Sequence, residues 1–106
     1  MQGKENIKGK VITLTSKQVS SDSSNAFTCA VFFGKPLNVN QLDISASSTA
    51  RSTVWFQVNN AWTFAADITN VTSVAVQNRQ NVTGVRIESL SFRGTYTVTL
   101  TNCEYA

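Results

Sequence analysis

Apolar and polar residues alternate with a period of two along much of this 106-residue chain, and helical spacing is sustained nowhere. Successive side chains of a strand point to opposite faces, so each such run offers one apolar face to a core. The cleanest is Thr95 to Thr101, where Tyr96, Val98 and Leu100 point one way and Thr95, Thr97, Thr99 and Thr101 the other. The strongest local signal is TVWFQV-NN-AWTFAA, in which two aromatic strands flank Asn59-Asn60. Asparagine tolerates the positive φ angles that a two-residue hairpin requires. With that turn, Val58 faces Ala61 and Phe56 faces Thr63. Trp62 and Phe64 then join Trp55 and Gln57 on one face, while Val54, Phe56 and Val58 hold the other.

Further strands follow from the same pattern. Val11 to Ser16 is one, after the segment MQGKENIKGK. Ala26 to Phe33 sets Phe27, Cys29, Val31 and Phe33 on one face and Ala30 and Phe32 on the other, which reads as a central strand. Gly34-Lys35-Pro36 should end it, because proline cannot donate to a ladder and glycine permits a turn. Leu37 to Ile44 resumes, with a phase break near Asn40-Gln41 that suggests a bulge. Gln18 to Asn25 and the run SASSTARS have the Ser, Asp and Asn density of loops. The segment from Asn70 to Val76 is echoed eleven residues later from Asn81 to Ile87, and Gln77 to Gln80 reads as the hairpin turn between the copies. The fold expected is all-β, an antiparallel β-sandwich or jelly roll of seven or eight short strands. Residues 1–10 would form a flexible arm and residues 11–106 a single domain.

Charged residues make only 14% of the chain, against a hydrophobic fraction of 42%. A soluble domain ordinarily carries about 25% charge. Ser, Thr, Asn and Gln together supply 41 residues and take over that role. The net charge of +3 is weak, and four of the nine cations, Lys4, Lys8, Lys10 and Lys17, crowd the N-terminal end. They form either a solvated terminus or a basic arm, with Lys4, Lys8 and Lys10 as candidate docking residues. No run approaches the length of a membrane span, and polar residues follow Met1 where a signal peptide would carry its apolar stretch. A soluble intracellular chain is expected. Cys29 and Cys103 are then reduced thiols, and the Asn-Val-Thr sequons at Asn70 and Asn81 are turn residues rather than glycan acceptors.

Histidine is absent, which removes the commonest general base and the commonest metal ligand together. Two cysteines so far apart in sequence do not furnish a structural zinc site. Asp43, Asp67 and Glu88 could pair as glycosidase carboxylates only across a cleft that a small sandwich seldom builds. Asp67 reads as a turn cap. A non-enzymatic domain without cofactor or metal is therefore expected. Trp55 and Trp62, with Phe64, make either a platform for stacking sugar rings or bases, or the second half of the core. Arg79, Arg86 and Arg93 either ring a polar partner or are scattered surface cations.

The stretch TGVRIESLSFRGTYTVTL, under a fifth of the chain, resembles the closing strands of galactose-binding-like jelly rolls. Such modules bind through variable loops outside this stretch, so no ligand residue carries over. The Ser/Thr/Asn/Val texture, the lack of histidine and the Met1 start are similar to small bacteriophage virion proteins, such as capsid decoration or tail accessory domains. That resemblance implies a virion location and a homo-oligomer docked on a larger symmetric particle, without cofactor. Low surface charge suits an assembly interface. The alternatives are a carbohydrate-binding module using Trp55 and Trp62, and a single-stranded nucleic-acid-binding domain using the same aromatics with the arginines.

Overall fold

The computed structural model describes residues 7–18, 27–89 and 94–106, and among these every regular element is a strand. The strands are β1 (Lys10–Thr15), β2 (Lys17–Gln18), β3 (Phe27–Ala46), β4 (Ser52–Val58), β5 (Ala61–Ile68), β6 (Ser73–Ser89) and β7 (Thr95–Tyr105). All pair antiparallel in the order β1-β7-β3-β6-β4-β5, with β2 on β3. The all-β architecture matches the alternation, but the strands are not uniformly short. β3 has 20 residues and β6 has 17.

Twenty residues at about 3.3 Å each would extend roughly 65 Å. The longest dimension of the molecule is 52 Å, so β3 bends. Its first half pairs with the second half of β6, from Phe27↔Ser89 to Phe32↔Gly84. Its second half lies between the first half of β6, through Leu42↔Val76 and Ile44↔Val74, and β7, through Asp43↔Thr99 and Ile44↔Val98. One layer is therefore β5-β4-β6-β3 with β2, and the other is β6-β3-β7-β1. The two long strands belong to both.

The bends fall where the sequence punctuates. Gly34-Lys35-Pro36 does not end a strand; it interrupts the β3 ladder, whose register shifts between Phe32 and Leu37. Proline's missing donor costs nothing at a break in the ladder, and the Pro36 carbonyl accepts from Ala106 N at 2.9 Å. Likewise Gln77 to Gln80 is no hairpin turn but lies inside β6. Asn78 (φ 60°) and Asn81 (φ 57°) take the left-handed conformation there, and Asn81 N donates to Asn38 Oδ1 at 3.3 Å. The asparagines bulge the strand without reversing it, because β3 offers pairing along both halves. Asn70 (φ 60°) does sit in the β5–β6 connection. The break expected at Asn40-Gln41 is present, as shifts between Val39, Gln41 and Asp43 against β7.

Between the layers lie Leu42, Ile44, Val54, Phe56, Val85, Ile87, Tyr96 and Val98, all buried. Burying each such aliphatic or aromatic side chain contributes about 1.5–3 kcal/mol. Ser52 and Tyr96 join β4 to β7, which do not pair, through a 2.7 Å hydrogen bond between their hydroxyls. At the N-terminal end Ile7 packs against the core, Gly9 N donates to Leu100 O at 2.8 Å, and Lys10 opens β1. Residues 7–10 thus lie against β7, which narrows the expected arm; residues 1–6 lie outside the described residues.

Candidate functional site

The Asn59-Asn60 turn (φ 54° and 63°) closes the β4–β5 hairpin in the register that a two-residue loop dictates, with Val58↔Ala61, Gln57↔Trp62, Phe56↔Thr63 and Trp55↔Phe64. An extra residue at Ala65 then shifts the pairing to Val54↔Ala66. Because Val54, Phe56, Val85 and Ile87 point into the core, their neighbours Trp55, Gln57, Gly84 and Arg86 point out. The ladders align these into rows on the outer face of the β5-β4-β6-β3 layer. One row is Phe32, Gly84, Gln57, Trp62; the next is Ala30, Arg86, Trp55, Phe64; a third is Thr28, Glu88, Thr53, Asp67.

Within this face the large side chains converge. Phe32 and Trp62 are rooted three strand spacings apart, about 14 Å. Their rings nevertheless lean together to 5.8 Å between centroids. Gly84 permits this, since a Cβ there would stand 3.0 Å from Phe32 Cδ1 and 3.2 Å from the Val31 carbonyl. Trp55 and Phe64 meet edge to face at 6.1 Å. The Arg86 guanidinium lies 4.7 Å from the Trp62 ring centre and 5.5 Å from that of Trp55. Such cation–π contacts contribute about 0.5–2 kcal/mol. Glu88 Oε1 stands 3.7 Å from Arg86 Nη2. Phe32 and Phe64 remain the most open rings, 62% and 54% exposed, while both indoles are half-buried. Gln57 is fixed beside them by a 2.9 Å bond from the Thr83 hydroxyl.

No family profile matches the chain, and no curated protein matches it in sequence. Solved structures do. The crystal structure of PirA shares 17% identity over 89% of this chain and 98% of its own, with a TM-score of 0.57. Chitosan-binding module 1, derived from a chitosanase/glucanase of Paenibacillus sp. IK-5, shares 10% identity over 99% of each chain, with a TM-score of 0.52. A proposed α-L-fucosidase of Bacteroides thetaiotaomicron shares 15% identity over 74% of this chain, which spans only 19% of that enzyme, with a TM-score of 0.54. The likeness is one of fold.

Of the residues singled out in the sequence, the structure brings together Trp55, Trp62, Phe64 and Arg86. The two tryptophans do not fill the core: Val54 and Phe56 occupy the inward positions of β4, which turns Trp55 outward, and Trp62 of β5 pairs with the outward Gln57. Arg79 lies on the first half of β6, donating to Gln77 O at 3.2 Å, away from the aromatic face. Arg93 and Lys4 lie outside the described residues. Lys8 and Lys10 are exposed beside β7 at the other layer. Phe32 and Gly84 belong to the face and went unrecognised. Outward alternation of Phe32 was readable; its meeting with β6, 52 positions away, was not.

Among the described residues the remaining reactive groups do not assemble. Asp43 accepts from Gln41 and Thr101 on the opposite layer. Asp67 is no turn cap; it lies in β5 and accepts from Thr53 at 3.2 Å. Among the described residues no three His, Cys, Asp or Glu side chains gather as metal ligands. Burial pushes the Cys29 thiol up to about 11. It does the same to Cys103, up to about 11, although a backbone hydrogen bond at Asn102 works the other way. Both thiols are free and protonated near neutrality, hence weak nucleophiles. A cavity of about 350 Å³ opens beside β1 and β7, walled by Ile12, Val31, Phe32, Phe33, Leu100 and Tyr105.

Proposed function

We propose that this chain is a non-catalytic carbohydrate-binding module whose ligand lies across the outer face of the β5-β4-β6-β3 layer. The observation that carries this reading is the gathering of Phe32, Trp55, Trp62 and Phe64 on one solvent-facing surface, where a small domain has every reason to bury such rings. Sugar rings present apolar C–H faces with polar rims. An aromatic surface of tilted rings, with Arg86 among the indoles and Gln57 and Thr53 beside them, offers both complements. A fold shared over its whole length with a chitosan-binding module supports the reading. The virion-assembly reading rests on composition, and the fold adds nothing to it.

The test is affinity electrophoresis and calorimetry against a panel of soluble polysaccharides. Trp62→Ala and Phe64→Ala should each weaken binding about tenfold or more, with the circular dichroism spectrum unchanged. Unaltered affinity in both variants would move the site elsewhere. Binding restricted to single-stranded oligonucleotides, and collapsing as salt rises, would replace glycan with nucleic acid.

A further inference from the structure

The aromatic face has a cation at its centre whose hydrogen-bonding capacity is unused. Arg86 carries five N–H donors. Among the described residues none has an acceptor within hydrogen-bond distance: Glu88 Oε1, at 3.7 Å, is an ion-pair neighbour only, and Arg86 Nε is buried with no partner. The indole Nε1 of Trp55, whose ring centre lies 5.5 Å from the same guanidinium, is also buried and has no partner among the described residues. Buried donors without acceptors are rare and costly, and Arg86 and Trp55, which are in cation–π contact, carry one each. The two indoles hold the guanidinium in place, so little freedom is left to lose when an acceptor arrives. With 28% of its side chain exposed, the group is reachable from solvent.

Resting on the glycan-binding reading above, we propose that the ligand is an acidic glycan, whose carboxylate or sulfate group is received by Arg86 while its sugar rings lie on the neighbouring aromatics. Arg86 itself supplies donors and positive charge at the centre, with the carboxylates of Glu88 and Asp67 confined to the adjoining row, so the group received at the centre is one that brings acceptors and negative charge. A guanidinium fork matches a planar oxyanion through two parallel hydrogen bonds. Glu88, partly exposed at the edge of Arg86, competes weakly for the same position.

The measurement is retention of the full chain in gels containing polygalacturonate or its methyl-esterified form, and κ-carrageenan or its desulfated form. Within each pair the backbones are alike and the acid group is present in one member. The wild-type chain should bind polygalacturonate or κ-carrageenan at least about tenfold more tightly than the neutral partner, which also tells carboxylate from sulfate. Arg86→Gln should erase that preference; Glu88→Gln should sharpen it. A double variant Lys8→Gln/Lys10→Gln, in the other layer, should leave it intact, separating Arg86 from net charge. Equal retention within both pairs, unaffected by Glu88→Gln, overturns the acidic-ligand inference while glycan binding stands. Retention by none of the four polymers overturns both. Should Arg86→Gln not fold, the Glu88→Gln comparison decides alone.

Discussion

The Ser52–Tyr96 hydroxyl pair is a buried side-chain hydrogen bond between strands that do not pair, and its value lies in what each partner would lose alone. Tyr96→Phe leaves the Ser52 hydroxyl with its long contact to Ala50 O at 3.4 Å. The expected cost is about 1–2 kcal/mol in urea unfolding, and adding Ser52→Ala should cost little more, because the orphaned hydroxyl leaves too. The thiols respond to pH instead. Cys29 and Cys103 both sit at about 11 in the folded chain against an ordinary 9.0, so the unfolded chain releases its protons first. Between pH 9 and 11 the folded state holds more protons, and stability falls as pH rises through that window; below pH 9 it is fully present. Urea midpoints taken at pH 8, 9.5 and 10.5 should decline, and a Cys29→Ala/Cys103→Ala chain should decline less steeply. Equal slopes would remove the thiols from the account.

The hairpin and the bulges both depend on asparagine in the left-handed region, where a β-branched side chain is strained. Asn60→Val should destabilise by about 1–2 kcal/mol, whereas Asn60→Gly should be neutral or stabilising, as read from thermal or urea midpoints. Loss of stability in the glycine variant would mean that the side chain, not the turn angle, is what the position needs. This hairpin was legible residue by residue, because turn and register are set within fifteen positions of chain. By contrast, Gly34-Lys35-Pro36 and Gln77 to Gln80 carry the same local vocabulary and mean bulge instead of reversal. The difference lies in a partner strand some forty positions away, which no local pattern encodes.

At the scale of the whole molecule, the alternation was enough to give the all-β class, and the aromatic face was half visible. Trp55, Trp62 and Phe64 share a face by hairpin register alone. Whether that face pointed inward stayed open, because Val54 and Phe56 make the opposite side equally apolar. Pairing of β6 with both β3 and β4 decides it by adding Val85 and Ile87 to the inner side. The same pairing brings in Phe32 and Arg86. These come from β3 and β6, the two strands that run through both layers, and that continuity reaches beyond the site. The stretch from Phe27 to Ser89 contains every aromatic of the face, yet it lacks β7, against which Leu42 and Ile44 of the same long strand are sealed. No excised peptide or half-domain can therefore carry the surface. It is a property of the intact chain and travels only with it.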